Sequence, residues 1–395
     1  MPKKLLFLSA HTGNGHNAAA AALAEAIRAQ GEDVEIAHPI EQSGSLNRSL
    51  AGTYDWALKN YPGRMHWYFQ AVNRLRPDRR LLRFRRVQSK GLDFLRRHNP
   101  KMVVSFHPMT NHPFALLCGL MDPPVPVACV VTDPFPPFWE GWKCRKIQQF
   151  FVATEEAAAE LRAAGVGGER ILVTGLPVAG RFEEGNRAPA EWYIQNGLRP
   201  GKFTLFLNAG WLGGDDFIQF YRAIAKSALP LQVIYVHGAS GASEAARIAA
   251  GSNAPTLLMP RTDRMHQWMR MSDLMITKPG ALTIYEALAC ELPVGVNAAS
   301  SIMPQERGMA EAIRSRGLGL WIGSAAELLQ SVRGLSECRD KLHQFRVNIR
   351  KFYRPGAAGR IAHRIAELAE EPAREMVGAW NLERIAQRRD SVGAA

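Results

Sequence analysis

No run in this 395-residue sequence has the length of a membrane-spanning helix, because apolar stretches such as 114–121 are soon broken and a span needs about 18–20 residues. Lys3 and Lys4 precede Leu5 to Leu8, but Ser-Ala-His-Thr-Gly follows at once, leaving no room for the apolar core of a signal peptide. A cytoplasmic protein is expected. Cysteine is scarce: Cys118, Cys129, Cys144, Cys290 and Cys338 are odd in number and form no CxxC pair. That excludes a disulfide framework and a zinc knuckle and leaves reduced, buried thiols. The chain also lacks a Walker A sequence, a strict GxGxxG and any repeat of solenoid period.

What is present is globular material, with 47% hydrophobic, 22% charged and 9% aromatic residues. Wholesale disorder is ruled out, and the length points to two domains. Lysine and arginine exceed aspartate and glutamate by 49 to 36, giving a net charge of +13. Such an excess suits nucleic acid, anionic membrane or phosphorylated ligands. The charge is local: RLRPDRRLLRFRR, from Arg74 to Arg86, sets seven arginines against one aspartate. Tyr54, Trp56, Tyr61, Trp67, Tyr68 and Phe69 lie just upstream. Aromatics beside a basic cluster with interspersed leucine suit a membrane interface, with Trp67, Arg79, Arg80, Arg83 and Arg85 as its candidate contacts. Single-stranded nucleic acid or a solvated basic helix would use the same mixture, but no RNA- or DNA-binding motif accompanies the run, so no nucleic-acid partner is expected.

Short β-prone runs alternate with Ala-rich helical stretches from end to end, which predicts an α/β protein with parallel sheets. Strands are expected near 4–9, 34–37, 102–106, 127–132, 149–153 and 171–174, then near 203–209, 232–236, 256–259, 274–277 and 294–296, with helices at about 18–30 and 155–164. Two doubly wound, Rossmann-like domains result, facing each other across a cleft. The first spans 1–180 with an insertion at about 41–98, and a linker covers 181–201. The second spans 202–352, a helix at 353–370 packs back on the first domain, and 371–395 form a charged tail.

Such sheets bind ligands at the carboxyl ends of their strands. The first strand ends in Ser9-Ala10-His11-Thr12-Gly13-Asn14-Gly15-His16, a tight turn into a helix that permits close ligand approach. His16 is either a base facing the cleft or a cap of the turn. Asn208-Ala209-Gly210-Trp211-Leu212-Gly213-Gly214-Asp215-Asp216 is a second such loop, able to offer backbone N–H groups to a phosphate. Its two aspartates suit helix caps and dipole partners better than a metal. In TKPGALTIYEALA, residues 277–289, Thr283 and Glu286 have capping-box spacing. Glu286 is equally able to accept hydrogen bonds from two adjacent sugar hydroxyls.

TKPGALTIYEALA, with Pro304-Gln305-Glu306-Arg307 at the next strand end, resembles the nucleotide-sugar site of glycosyltransferase family 28. SAHTGNGH, Ser105-Phe106-His107-Pro108, Thr132-Asp133, Phe151-Val152-Ala153-Thr154 and Thr174-Gly175-Leu176-Pro177 resemble monogalactosyldiacylglycerol synthases and diacylglycerol glucosyltransferases. The resemblance covers roughly residues 3–365. It departs from the family in having fewer consecutive glycines at 208–214 and Ala281 where a glycine is commoner.

The resemblance implies a GT-B fold, an acceptor-binding first domain, a UDP-sugar-binding second domain, and inverting transfer with neither a metal catalyst nor a permanently bound cofactor. On that pattern Glu286 holds the ribose hydroxyls. Gly210, Gly213, Gly280, Ala281, Leu282 and Thr283 surround the diphosphate, and Gln305 and Glu306 bind the donor sugar. His16 and Asp133 are the candidate catalytic groups, with Gly15 and His107 on the acceptor side. The expected partners are a UDP-sugar, a lipid acceptor, most plainly diacylglycerol, and an anionic membrane surface on the inner face of the cell membrane. The alternatives are a UDP-N-acetylglucosamine-dependent transferase acting on another lipid such as lipid I, and a soluble GT-B UDP-sugar epimerase.

Overall fold

The apolar runs of the sequence become twelve strands in the computed structural model, which describes residues 3–11, 14–42, 65–80, 84–185, 188–210, 213–239 and 241–371. In the first sheet these are β1 (Leu5–Leu8), β2 (Val34–Ala37), β3 (Met102–Ser105), β4 (Val127–Val130), β5 (Gln149–Val152) and β6 (Ile171–Val173). The second holds β7 (Phe203–Asn208), β8 (Leu231–Val236), β9 (Thr256–Met259), β10 (Leu274–Thr277), β11 (Val294–Asn297) and β12 (Gly319–Ile322). Every paired strand is parallel.

Burial sorts the strands as their composition requires. The inner strands LLFL, MVVS, VACV, QFFV and LMIT are buried at every position, as expected where helices cover both faces of a parallel sheet. The edge strands β2, β6, β9 and β12 are only partly covered. β12 was not among the expected strands: its GLWI is short and starts on glycine, and β11 supplies the pairing that makes it a strand. A Cβ on Gly319 would fall 1.9 Å from the Val294 carbonyl oxygen, so the pairing needs glycine there.

The orders β2-β1-β3-β4-β5-β6 and β12-β11-β10-β7-β8-β9 each reverse once, between β1 and β3 and between β7 and β10. The loops leaving those four strands open the crevices in which doubly wound folds hold ligands.

Helices that bear on the site are α1 (Asn14–Arg28), α2 (Met65–Leu75), α3 (Arg85–His98), α4 (Pro108–Gly119), α5 (Ala281–Ala289), α6 (Pro304–Ser315), α7 (Asp340–Phe352) and α8 (Ala357–Glu370). α1 begins four residues before the expected start, so His16 belongs to its first turn. The insertion contributes α2, the short helix Pro77–Arg80 and α3. Tyr54, Trp56, Tyr61, Arg83, Trp211, Leu212 and the tail beyond 371 lie outside the described residues.

The two halves pack on each other at several points. α8 lies against α1, and Ile361, Ala362, Ile365 and Leu368 join one buried cluster with Ala20, Leu23, Ala24 and Ile27. The turn before α8 is pinned by Glu183, which accepts from the Tyr353 hydroxyl (2.6 Å) and the Gly356 N–H (2.9 Å). Closer to the crevices, Gly308 of α6 meets the 135–136 backbone so tightly that a Cβ there would fall 2.2 Å from the Pro136 carbonyl oxygen. Arg316 packs against both Phe135 and Phe352, its guanidinium carbon 5.4 and 5.1 Å from the ring centroids, and those two rings stack on each other at 6.3 Å.

Candidate active site

On the first sheet, the loops after β1, β3 and β4 bring His16, His107, Thr132 and Asp133 together. His16 Nδ1 lies 2.8 Å from the Thr132 hydroxyl, and its ring meets His107 edge-on at 4.7 Å. Burial holds the His16 imidazole down at about 4, against a smaller opposing pull from its hydrogen bond to the Phe106 backbone. The ring is therefore neutral, in its basic form, at physiological pH. His107 does structural work: it is the N-cap of α4, its Nδ1 accepting the Met109 N–H at 3.2 Å. Burial, then the neighbouring His16, keep it well below the ordinary histidine range.

Asp133 faces the crevice and accepts the Trp142 indole N–H at 2.7 Å. Burial pushes its carboxyl up to about 6, and the indole bond opposes part of that rise. Trp142 itself is fully buried.

The second sheet answers with charge of both signs. Lys278, leaving β10, donates to the Gly213 carbonyl at 2.9 Å. Burial lowers its pKa, opposed by the nearby charges of Glu306 and Asp216. Gly210 and Gly213 have φ of +74° and +76°, which only glycine adopts readily. The next loop presses on them, since a Cβ on Gly238 would fall 2.4 Å from the Gly210 carbonyl oxygen.

α5 begins at Ala281 with Gly280 as its N-cap and no side-chain cap. Its first N–H groups are thus unclaimed by a capping side chain and point at the crevice. Of the two readings of Glu286, the capping box with Thr283 does not form: Thr283 is already inside the helix, in its third position, so Glu286 has no cap to complete. Among the described residues no hydrogen bond reaches the Glu286 carboxylate. Burial raises it to about 7, Arg181 opposing.

α6 delivers Gln305 and Glu306 from its first turn. Gln305 Oε1 is buried and without a hydrogen-bond partner among the described residues. Glu306 is raised to about 7, first by burial and next by the charge of Asp133, with Lys278 opposing. That electrostatic contact spans the two sheets. Gly15 lies at the same seam, where a Cβ would approach Leu282 Cβ of α5 to 3.9 Å. Asp133 and Gly15 of the first half thus meet Glu306 and Leu282 of the second along one crevice.

Lys278 and Trp142 were not expected. Lys278 sits inside TKPGALTIYEALA, where a lysine after a buried strand was the available signal. Trp142 gave none, because its partner lies nine residues back across a proline-rich loop. Among the described residues no three His, Cys, Asp or Glu side chains converge as metal ligands would.

The basic insertion turns a mixed apolar and basic face to solvent. Trp67 is 72% exposed and Phe84 62%, with Tyr68, Leu75 and Val87 also exposed. Arg79, Arg80 and Arg85 are exposed beside them. Arg76 is not free: it pairs with the buried Asp78 at 2.9 Å. Among the described residues no helix is long and apolar enough to cross a membrane.

Comparison with known proteins agrees with this geometry. The model of the monogalactosyldiacylglycerol (MGDG) synthase family matches residues 16–178, and that of the glycosyltransferase family 28 C-terminal domain matches residues 215–296. The processive diacylglycerol beta-glucosyltransferase of Bacillus subtilis (strain 168) is 25% identical over 362 residues, covering 89% of this chain and 91% of that protein. The protein of the same name from Staphylococcus epidermidis (strain ATCC 12228 / FDA PCI 1200) is 26% identical over 352 residues, 86% of each chain. Among solved structures, Acinetobacter baumannii MurG superposes with a TM-score of 0.63 at 15% identity, covering 93% of this chain and all of that one. Os79 from O. sativa in complex with UDP gives 0.61 at 11% identity with the same coverage. This chain is therefore a UDP-sugar hexosyltransferase of GT-B fold, its first half similar to the monogalactosyldiacylglycerol synthase family and its second to the glycosyltransferase family 28 C-terminal domain.

Proposed function

We propose that the protein transfers a hexose from a UDP-sugar to diacylglycerol with inversion at the anomeric carbon, working at the inner face of the cell membrane. The observation that carries this reading is the packing of α6, which holds Glu306, on the loop that holds Asp133, with Gly308 against the Pro136 carbonyl and the Asp133 charge acting on Glu306; it supports one reaction space for the acceptor-side and donor-side motifs. The names of the relatives supply the lipid.

In this reading Glu286 accepts hydrogen bonds from the ribose hydroxyls. Lys278 and the first N–H groups of α5 face the diphosphate, where negative charge grows as UDP departs. Gln305 and Glu306 hold the hexose, whose hydroxyls satisfy the buried Gln305 Oε1. With its one ring N–H serving the Phe106 backbone or Thr132, His16 offers its other ring nitrogen as the lone pair that takes the acceptor's hydroxyl proton. Asp133, ionised above about pH 6, stabilises the imidazolium that forms. The seam between the sheets keeps water from competing with the lipid hydroxyl. Trp67, Phe84 and the exposed arginines lie on the anionic bilayer, bringing the acceptor to the crevice without extracting it fully.

The test is direct. The protein is incubated with vesicles containing diacylglycerol and, separately, UDP-glucose, UDP-galactose and UDP-N-acetylglucosamine, and the lipid products are weighed by mass spectrometry. A hexosyldiacylglycerol is the expected product. Transfer of N-acetylglucosamine to another lipid, or release of a free epimerised sugar, would overturn the reading.

A further inference from the structure

α2 does two things at once. It turns Trp67 to solvent and packs Phe69 on Trp139, with ring centroids 4.4 Å apart. At its far end Asn73 Oδ1 accepts the Glu140 N–H at 3.0 Å. Just beyond it, Arg76 reaches the Glu140 carboxylate at 3.4 Å. Arg76 is itself fixed by a bidentate pair with Asp78, at 3.1 and 2.9 Å.

Glu140 opens a single 3-10 turn, Glu140–Trp142, whose last residue is the Trp142 that donates to Asp133. The turn has no slack on its other side. Asn111 Nδ2 donates to the Gly141 carbonyl at 3.0 Å, and a Cβ on Gly141 would fall 2.4 Å from the Pro108 carbonyl oxygen. Pro108 follows His107, which touches His16. A three-residue turn thus joins the helix that carries Trp67 to the carboxylate in the crevice.

We propose that Trp142 is a positioning residue for Asp133, and that Asn73 and Arg76 transmit the seating of α2 on lipid to that carboxylate through the Glu140–Trp142 turn. The proposal rests on the reading of Asp133 as a catalytic group and of α2 as a lipid-facing helix. A shift of the turn by about 1 Å takes a 2.7 Å bond out of hydrogen-bond range, and displacements of that size cost catalysis heavily. Among the described residues the charged group set against Asp133 is Glu306 from α6, on which Lys278 also acts. Trp142 is the donor that favours its ionised form.

The experiment uses the full chain with UDP-glucose or UDP-galactose, whichever is turned over, and two acceptors: diacylglycerol in anionic vesicles, and a short-chain diacylglycerol dissolved in buffer. Trp142→Phe keeps most of the ring and removes the N–H. It is expected to lower kcat about tenfold with donor KM within about twofold, and to move the acidic limb of the kcat profile upward by about one pH unit. A purely packing role predicts a lower melting temperature with the limb unmoved, and that result overturns the assignment.

Asn73→Ala, away from the core, guards against a folding failure. It is expected to lower turnover on vesicles about threefold or more, to spare the dissolved acceptor, and to leave vesicle sedimentation unchanged. Equal effects on both acceptors, or none, overturn the transmission. Asp133→Asn separates the layers: wild-type turnover there removes the underlying reading of Asp133, whereas a loss there with Trp142→Phe unaffected removes only this proposal.

Discussion

Glu286→Gln should make the free protein more stable and the donor bind less well. In the free protein the carboxylate is buried, lacks a hydrogen-bond donor among the described residues, and is raised from 4.5 to about 7. At about 1.4 kcal/mol per pH unit, holding it ionised costs roughly 3–4 kcal/mol before local relaxation. The sign follows from the direction of the shift. Between pH 4.5 and 7 the folded chain binds more protons at this residue than the unfolded one, so stability falls as pH rises through that window and levels off above it. Glutamine carries no such penalty. The variant should melt with wild type near pH 4.5–5 and a few degrees higher at pH 8. UDP-sugar affinity should fall by about 1–3 kcal/mol at pH 8, because a charge-assisted bond to the ribose becomes a neutral one. Wild-type affinity should also strengthen from pH 6 to 8, with that dependence flattened in the variant. Paired melting curves and calorimetry with a UDP-sugar test all of this. A variant that is less stable at pH 8 while binding donor as wild type would refute the reasoning and restore a capping role.

Three further outcomes are expected. His16→Ala should lower turnover about 10²-fold or more with donor affinity nearly unchanged, measured under saturating donor and lipid. Changing Arg79, Arg80, Arg83 and Arg85 to Gln should weaken sedimentation with anionic vesicles at low salt and leave neutral vesicles little affected, since each basic residue contributes on the order of 1 kcal/mol near such a surface. Gly308→Val should depress activity more than it depresses UDP binding. Its side chain would enter the space of the Pro136 carbonyl and part the sugar-binding helix from Asp133, which turnover set against calorimetry would reveal.

The fold was largely legible in the sequence because inner strands of parallel sheets are continuously apolar: runs such as LLFL and LMIT announce themselves. β12 escaped because an edge strand beginning on glycine lacks that signature. At the site, motifs held within one loop were readable, as with the string around Glu286. Glu286 also shows the limit of local spacing, since a capping box requires Thr283 to be the N-cap, and the N-cap is Gly280, three residues earlier. The Trp142–Asp133 bond and the approach of Glu306 to Asp133 depend on how distant loops pack, which neither periodicity nor spacing encodes.

The packing of α8 on α1 bears on how the chain is made. α1 leaves the ribosome more than 300 residues ahead of α8, and its stripe of Leu23, Ala24 and Ile27 is closed by Ile361, Ile365 and Leu368 of that helix. A first half folding ahead of the second, as is usual during synthesis, must carry that stripe uncovered until α8 has been made. Nascent chains halted before residue 357 would then be the ones that recruit chaperones or aggregate, and a single additional helix would release them.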